Sequence, residues 1–196
     1  MRVVLKEDSV HIPDDVKVQV KARKVTVTGP KGSITKDFSH LSIDIRVMKG
    51  VTGKKAGLMV RIQMWNGVPK RVCAVSTIKS LISNMITGVT EGYRYKMRLV
   101  YAHFPINALI SKDKKQVEIK NFLGGKKSHL INLQPGVTVT LSKDVKDELV
   151  FEGNDNANVS LSCAQVCQVC KIGKKDERKF LDGIFVSETG VIDPRD

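Results

Sequence analysis

The sequence predicts an α+β protein made of two tandem copies of a small domain, each an antiparallel sheet packed with one main helix. Two observations lead to this fold class. Short segments that alternate apolar and polar residues, separated by turns, fill most of the chain, and each half ends in one segment with helical spacing. The order of these segments in the first half then recurs in the second half.

Strands are predicted in the first half wherever apolar and polar residues alternate with a period of two. They span residues 16–20, 25–28, 33–38, 41–47 and 58–64. The turn Gly29-Pro30-Lys31-Gly32, with alternation on both sides, predicts a β-hairpin. In the fourth strand, the residues Leu41, Ile43, Ile45 and Val47 are expected to face one way. Residues 49–55 are basic and broken by glycine, so we expect a loop there.

A helix is predicted from about Lys70, because a set of apolar residues recurs on one helical face. This set is Val75, Ile78, Ile82, Met85 and Ile86. Gly88 is expected to end the helix. No apolar run approaches ~18 residues, so we expect no membrane span.

The second half follows the same order, and Pro13 and Pro105, 92 residues apart, set the offset. The same offset aligns Val25 with Val117, Val27 with Ile119, Gly32 with Gly124 and Phe38 with Leu130. Strands are predicted at 93–101, 137–141 and 148–151, before a helix with Asp155 and Asn156 as candidate N-caps and Gly173 as C-cap. The predicted domains are residues 1–91, residues 92–173, and a basic segment and tail at 174–196.

The charge of the chain predicts a polyanionic partner. The net charge is +13, and Glu91 is the only acidic residue between Asp44 and Asp113. Such one-sided charge suits phosphate neutralisation, so nucleic acid is the first candidate and an anionic membrane the second. The basic residues expected to contact phosphates are Lys70, Arg71, Arg94, Lys96 and Arg98 within this interval, and Lys126 and Lys127 after it.

The cysteines at 163, 167 and 170 admit two interpretations. Their spacing matches the iron–sulfur signature of radical enzymes that use S-adenosylmethionine, and a zinc site would need a fourth ligand such as Cys73. The same spacing is typical of a packed helix face, which Val159 and Val166 share. Since a helix spreads these thiols over roughly 10 Å of its axis, packing is the favoured interpretation and a metalloenzyme the alternative.

Two further patterns could bind nucleic acid. The Gly29–Gly32 turn resembles the GxxG loop of KH domains, but that loop joins two helices, so a hairpin turn is favoured. Trp65, Tyr93, Tyr95 and Tyr101 could stack on bases, although their strand spacing favours core positions. The sequence has no P-loop, G-x-S-x-G or H-E-x-x-H motif that would indicate an enzyme.

Five longer stretches of the chain, taken together, resemble a known protein family. They are 88–98 (GVTEGYRYKMR), 100–107 (VYAHFPIN), 121–124 (NFLG), 152–155 (EGND) and 178–184 (RKFLDGI). Together they closely resemble the universal large-subunit ribosomal protein six family in its eukaryotic cytosolic form, number nine in the older eukaryotic naming. The resemblance covers nearly the whole chain in order.

This resemblance implies a structural protein bound to large-subunit ribosomal RNA near the sarcin–ricin loop and the stalk base, where translation GTPases dock. It implies neighbouring ribosomal proteins as partners, no cofactor, no membrane, and a cytoplasmic location after assembly in the nucleolus. The family's main RNA contact is the second domain and the segment after its helix. Here that segment corresponds to Lys174, Lys175, Arg178 and Lys179.

Overall fold

The structure of the protein, a computed structural model, describes residues 3–52, 55–142, 145–173 and 175–194. The chain divides into two compact units, Met1–Thr90 and Glu91–Asp196, and each has its own hydrophobic core. The division falls one residue before the predicted end of the first repeat. The predicted class, α+β with two tandem copies of one domain, is confirmed.

Two antiparallel sheets and one long helix form the first unit. The elements are β1 (Val3–His11), β2 (Lys17–Lys21), β3 (Lys24–Gly29), β4 (Gly32–Asp37), β5 (Asp44–Thr52), β6 (Lys55–Gly67) and α1 (Pro69–Thr90). One sheet has the strand order β1-β6-β5 and the other the order β2-β3-β4. Strand β1 was not predicted, because its residues Lys6, Glu7 and Asp8 interrupt the alternation that marks the other strands.

Helix α1 buries the predicted face: Val75, Ile78, Ile82, Met85 and Ile86 all belong to the core of the first unit. Gly88 does not end the helix. It lies buried in the last turn, and the helix continues to Thr90, whose hydroxyl donates to the Ile86 carbonyl at 3.0 Å. In the described part of the chain, α1 alone has the length and apolar composition of a membrane span. Its buried face identifies it as a core helix.

The hairpin turn between β3 and β4 rests against the end of α1. Gly29 and Gly32 face each other across the turn, and the Lys31 amide donates to the Val89 carbonyl at 3.0 Å. A Cβ atom at Gly29 would lie 2.7 Å from the Val89 Cγ2 atom. The hairpin interpretation is therefore confirmed, and the KH-type loop is wrong, because strands flank the turn on both sides.

The predicted loop at 49–55 is largely strand. β5 continues through Thr52 and β6 begins at Lys55, while Gly53 and Lys54 lie outside the described residues. Val47 is 38% exposed rather than buried. Val47 lies on β5, which is an edge strand of its sheet, so core residues cover the Val47 side chain only in part.

The second unit repeats the first and adds one strand. Its elements are β7 (Tyr93–Val100), β8 (Asn107–Ile110), β9 (Gln116–Lys120), β10 (His129–Asn132), β11 (Val137–Leu141), β12 (Glu148–Gly153), α2 (Asn156–Val169) and β13 (Gly183–Val191). The sheets have the strand orders β10-β9-β8 and β11-β12-β7-β13. β7 to β12 and α2 occupy the positions of β1 to β6 and α1. β13 pairs with β7 along the edge that β1 leaves open in the first unit.

The offset of 92 residues holds only as far as β9. Val117 and Ile119 are fully buried, as their counterparts in β3 are. Beyond β9 the alignment is wrong by three positions, since Val117 pairs with Ile131 whereas its counterpart Val25 pairs with Lys36, an offset of 95 instead of 92. Leu130, the expected counterpart of Phe38, is 64% exposed. The reason is loop length: residues 121–128 connect β9 to β10, whereas two residues connect β3 to β4.

Helix α2 begins as predicted and ends earlier. The Asp155 carboxylate accepts a hydrogen bond from the Ala157 amide at 3.1 Å, which is an N-cap. Asn156 is the first helical residue rather than the cap, and its side chain accepts from the Tyr95 hydroxyl at 2.8 Å. The C-cap is Cys170 and not Gly173, because Cys170 leaves helical geometry (φ −91°, ψ 28°) and its amide donates to the nearby Gln168 carbonyl.

The segment predicted as a separate tail is also different from expectation. Residues 183–191 form β13 and extend the main sheet of the second unit, so this part of the segment belongs to the fold of that unit. Ile184, with no exposed surface, anchors this strand in the core.

We expect Gly29→Ala to destabilise the first unit by about 1–3 kcal/mol, the usual cost of overpacking a close contact. The added methyl group would press on Val89 and separate the hairpin turn from α1. Urea unfolding of the full chain measures the change. Gly190→Ala is the matched control, because a Cβ atom there meets nothing within 4 Å. Equal stability of the two variants would contradict the close packing.

Candidate nucleic-acid interface

Strand β7 presents a charged face and a buried face, as its alternation predicts. Tyr93, Met97 and Leu99 point into the core of the second unit. Arg94, Lys96 and Arg98 alternate with them and therefore project from the opposite face of the sheet. The predicted phosphate contacts on this strand thus share one surface.

Carboxylates on neighbouring strands neutralise two of these three cations. The Arg94 Nε atom donates to Glu152 on β12 at 2.8 Å, and the Lys96 ammonium lies 2.8 Å from the Glu188 carboxylate on β13. This hydrogen bond lowers the pKa of Glu188 and raises that of Lys96. Arg98 is exposed and has no ion-pair partner among the described residues. Of the three, Arg98 is therefore the most available to a phosphate.

The segment after α2 contains a compact turn that Asp176 organises. The Asp176 carboxylate accepts from the Arg178 amide at 2.9 Å, and its carbonyl accepts from the amides of Lys179 and Phe180 at 3.1 and 3.0 Å. The other acidic residue, Glu177, lies 3.9 Å from the Lys171 ammonium. Both carboxylates are thus engaged within the second unit.

The basic side chains of this turn are exposed to solvent. The Lys175 ammonium lies 4.6 Å from the centre of the Phe180 ring, a cation–π contact that orders an exposed side chain. Arg178 and Lys179 are exposed, and neither side chain forms an ion pair within the described chain. Lys174 lies outside the described residues. We refer to residues 175–180 as the basic turn.

Two contacts fasten the basic turn to the sheet. The Asp182 carboxylate accepts from the Ala102 amide at 3.1 Å, just beyond the end of β7. Gly183 and Ile184 then pair with Val100 and Leu99 as β13 begins. The basic turn is consequently attached to a rigid strand only three residues away.

Lys126 and Lys127 occupy a different loop of the second unit, between a short 3-10 turn at Phe122–Gly124 and β10. Both side chains are exposed, and neither makes an ion pair with a described residue. The loop reverses through Gly124, whose φ of +72° suits glycine, and a Cβ atom there would lie 3.1 Å from the Phe104 ring. The loop therefore holds two free cations near an exposed aromatic side chain.

Lys70 and Arg71 lie in the first unit, in the first turn of α1. Both are exposed and line an open cavity of about 830 Å³ together with Trp65. The expectation that Trp65 is a core residue is wrong, since it is 57% exposed, whereas Tyr93 is buried as expected. Ile62 and Met64 occupy the buried face of β6, and this alternation is the sequence signal that directs Trp65 outward.

The three helix cysteines behave as packing residues. Cys163 and Cys170 are buried in the core of the second unit, and burial raises their thiol pKa values to about 12 and about 11. A metal ligand must be a thiolate, which these surroundings disfavour. Among the described residues, no group of three His, Cys, Asp or Glu side chains is arranged to hold a metal ion. The geometry thus gives the metalloenzyme alternative no support.

Comparison with known proteins agrees with the repeated architecture. The family described as ribosomal protein L6 matches residues 12–92 and 104–183, one match for each unit. Large ribosomal subunit protein uL6A of Schizosaccharomyces pombe is 46% identical over 192 residues, covering 98% of this chain and 97% of that protein. Protein uL6B of Saccharomyces cerevisiae is 44% identical, with 98% of each chain covered.

The similarity extends to archaea. Large ribosomal subunit protein uL6 of Desulfurococcus amylolyticus is 36% identical over 189 residues, covering 96% of this chain and 97% of that protein. The matches include both units, and the eukaryotic relatives are the more similar of those compared. The chain therefore belongs to the ribosomal protein L6 family, a family of structural rather than catalytic proteins.

Proposed function

We propose that the protein is a structural constituent of the large ribosomal subunit that binds ribosomal RNA near the sarcin–ricin loop and the stalk base. In this position it supports the GTPase-associated region during translation. Membership of the ribosomal protein L6 family and the names of its relatives support the ribosomal role. The finer location rests on the resemblance of the five segments described above.

The basic turn is the observation that carries the proposal. A cation that is paired with a carboxylate within ~4 Å is less available to a phosphate, because the phosphate must compete with that carboxylate. Here the Asp176 carboxylate accepts from the Arg178 backbone amide and Glu177 lies beside Lys171. No described carboxylate forms an ion pair with the side chain of Arg178 or Lys179, so both remain available. A turn that is already ordered also gives up less conformational entropy when RNA binds.

The mode of binding follows from the shape of RNA. Side chains cannot reach into the deep, narrow major groove of A-form RNA, so recognition relies on phosphates, 2′-hydroxyl groups and overall shape. Arg98, Lys126 and Lys127 are further available cations of the second unit. They add phosphate contacts that the basic turn alone does not supply.

Other partners follow from the proposed location. Neighbouring large-subunit proteins, including those of the stalk base, would contact the protein, and translation GTPases would dock nearby. The protein would act in the cytoplasm after assembly into the subunit in the nucleolus. None of its residues is assigned a reaction, a cofactor or a metal.

We expect the salt dependence of RNA binding to identify the basic turn. Changing the three cations of the basic turn, Lys175, Arg178 and Lys179, together with the preceding Lys174 to Gln removes four positive charges. The slope of log affinity against log salt should then fall by about 0.7–0.9 for each lost phosphate contact. The measurement uses the full chain and a large-subunit RNA fragment that contains the sarcin–ricin loop and stalk base.

The matched control changes Lys6, Lys17, Lys21 and Lys49 to Gln. These exposed lysines of the first unit are not among the expected contacts, and their loss lowers the net charge equally. The control should retain most of the slope. If both variants lose the same slope, RNA is attracted by net charge and the basic turn is not a specific contact.

We also expect Glu188→Gln to strengthen RNA binding modestly. The substitution removes the carboxylate that neutralises Lys96, so one more cation becomes available and the salt slope should steepen by up to about 0.9. Glu118→Gln changes the net charge equally but frees Lys120, which is not an expected contact. Equal strengthening in the two variants would count against Lys96 as a contact.

A further inference from the structure

An open cavity in the first unit joins an exposed tryptophan to exposed cations. Its volume is about 830 Å³, and it lies where the end of β6 meets the first turn of α1 and the loop between β4 and β5. Trp65 lines it with 57% of its surface exposed. Lys70 and Arg71 line it from α1, and His40 lines it from the loop.

The backbone connection between Trp65 and α1 is short and closely packed. Asn66 has a φ of 48°, in the left-handed region that non-glycine residues seldom adopt. At Gly67, a Cβ atom would lie 2.6 Å from the Val72 Cγ2 atom of α1. The chain therefore passes from β6 into α1 by a tight, closely packed turn, so that Trp65 and Lys70 border the same cavity.

The cavity is cationic, because no carboxylate occurs among the described residues that line it. Two acidic residues lie on the same face of the sheet as Trp65, and both have cationic partners. Glu7 is bound by Arg61 and also accepts from Gln63 at 3.0 Å. Asp44 lies 3.9 Å from Arg46. Neither carboxylate neutralises Lys70 or Arg71.

We propose that this cavity binds an unpaired nucleotide of single-stranded RNA, with the base stacked on Trp65 and the phosphate between Lys70 and Arg71. An aromatic side chain and cations without an ion-pair partner in the described part of the chain match the two chemical parts of a nucleotide, and base–aromatic stacking tolerates any base. The proposal rests on the proposed function in taking RNA as the partner. It assigns a separate contact, made only by residues of the first unit.

The test exploits the fact that Trp65 is the only tryptophan of the chain. Titration of the 196-residue chain with single-stranded hexaadenylate should quench the tryptophan emission in a saturable way, since a stacked adenine contacts the indole directly. The paired change Lys70→Gln and Arg71→Gln should weaken binding about tenfold and lower the salt slope by about 1.4. The matched change Lys17→Gln and Lys21→Gln should leave both values nearly unaltered.

A labelled oligonucleotide extends the test to variants that lack the indole. Trp65→Ala should lower the affinity for hexaadenylate by about 5- to 100-fold, the range expected for loss of one stacked base. Trp65→Phe should recover part of the loss, because a phenyl ring still offers a stacking face. A Phe variant as weak as the Ala variant would overturn the stacking contact.

Three other results would overturn the inference. They are an emission unchanged by hexaadenylate, an unchanged affinity for hexaadenylate in the Lys70/Arg71 variant, and quenching by hexaglutamate comparable to that by RNA, which would indicate an acidic protein segment instead. The proposed function is judged separately, by binding of the ribosomal RNA fragment through the basic turn. If that fragment binds normally while hexaadenylate leaves Trp65 unquenched, only the present inference fails.

Discussion

The pairing of β13 with β7 is the constraint on which the candidate interface depends. In the first unit, β1 is an edge strand with one open side. In the second unit, the equivalent edge of β7 is covered by β13, which places Ile184 in the core and starts three residues after the basic turn. An unpaired strand edge is a liability that proteins commonly cover. Here β13, which covers the edge, also fixes the position of the basic turn.

The two units show how one architecture supports different surfaces. The first uses a long helix whose end is closed by a two-residue hairpin turn, and its exposed Trp65 borders a cationic cavity. The second has a shorter helix, a longer loop between its hairpin strands, and an added strand. In its main sheet, cations and carboxylates lie opposite each other on neighbouring strands, as the Lys96–Glu188 pair illustrates. Net charge alone therefore overstates how many cations can meet RNA.

Local patterns in the sequence predicted much of the fold. The β3–β4 hairpin, the buried face of α1 and the Asp155 cap each depend on residues close together in the chain. Partners distant in sequence were not predictable in this way: Glu188 reaches Lys96 only because β13 returns to β7. The predicted caps Gly88 and Gly173 were wrong, because a glycine caps a helix when it adopts the left-handed conformation, and neither of these does. The exposed position of Trp65 could have been predicted, since the alternation along β6 directs its side chain outward.

The central claim is that strand pairing, and not charge alone, holds the basic turn in position for RNA. Ile184→Ala tests it most directly, because it weakens the anchor of β13 by about 2–5 kcal/mol while keeping every cation. Leu161→Ala, at an exposed position on α2, is the control, and hydrogen exchange in β12 verifies that the second unit stays folded. We expect Ile184→Ala to weaken binding of the ribosomal RNA fragment while the control binds normally. Unchanged affinity in a folded Ile184→Ala protein would contradict the account.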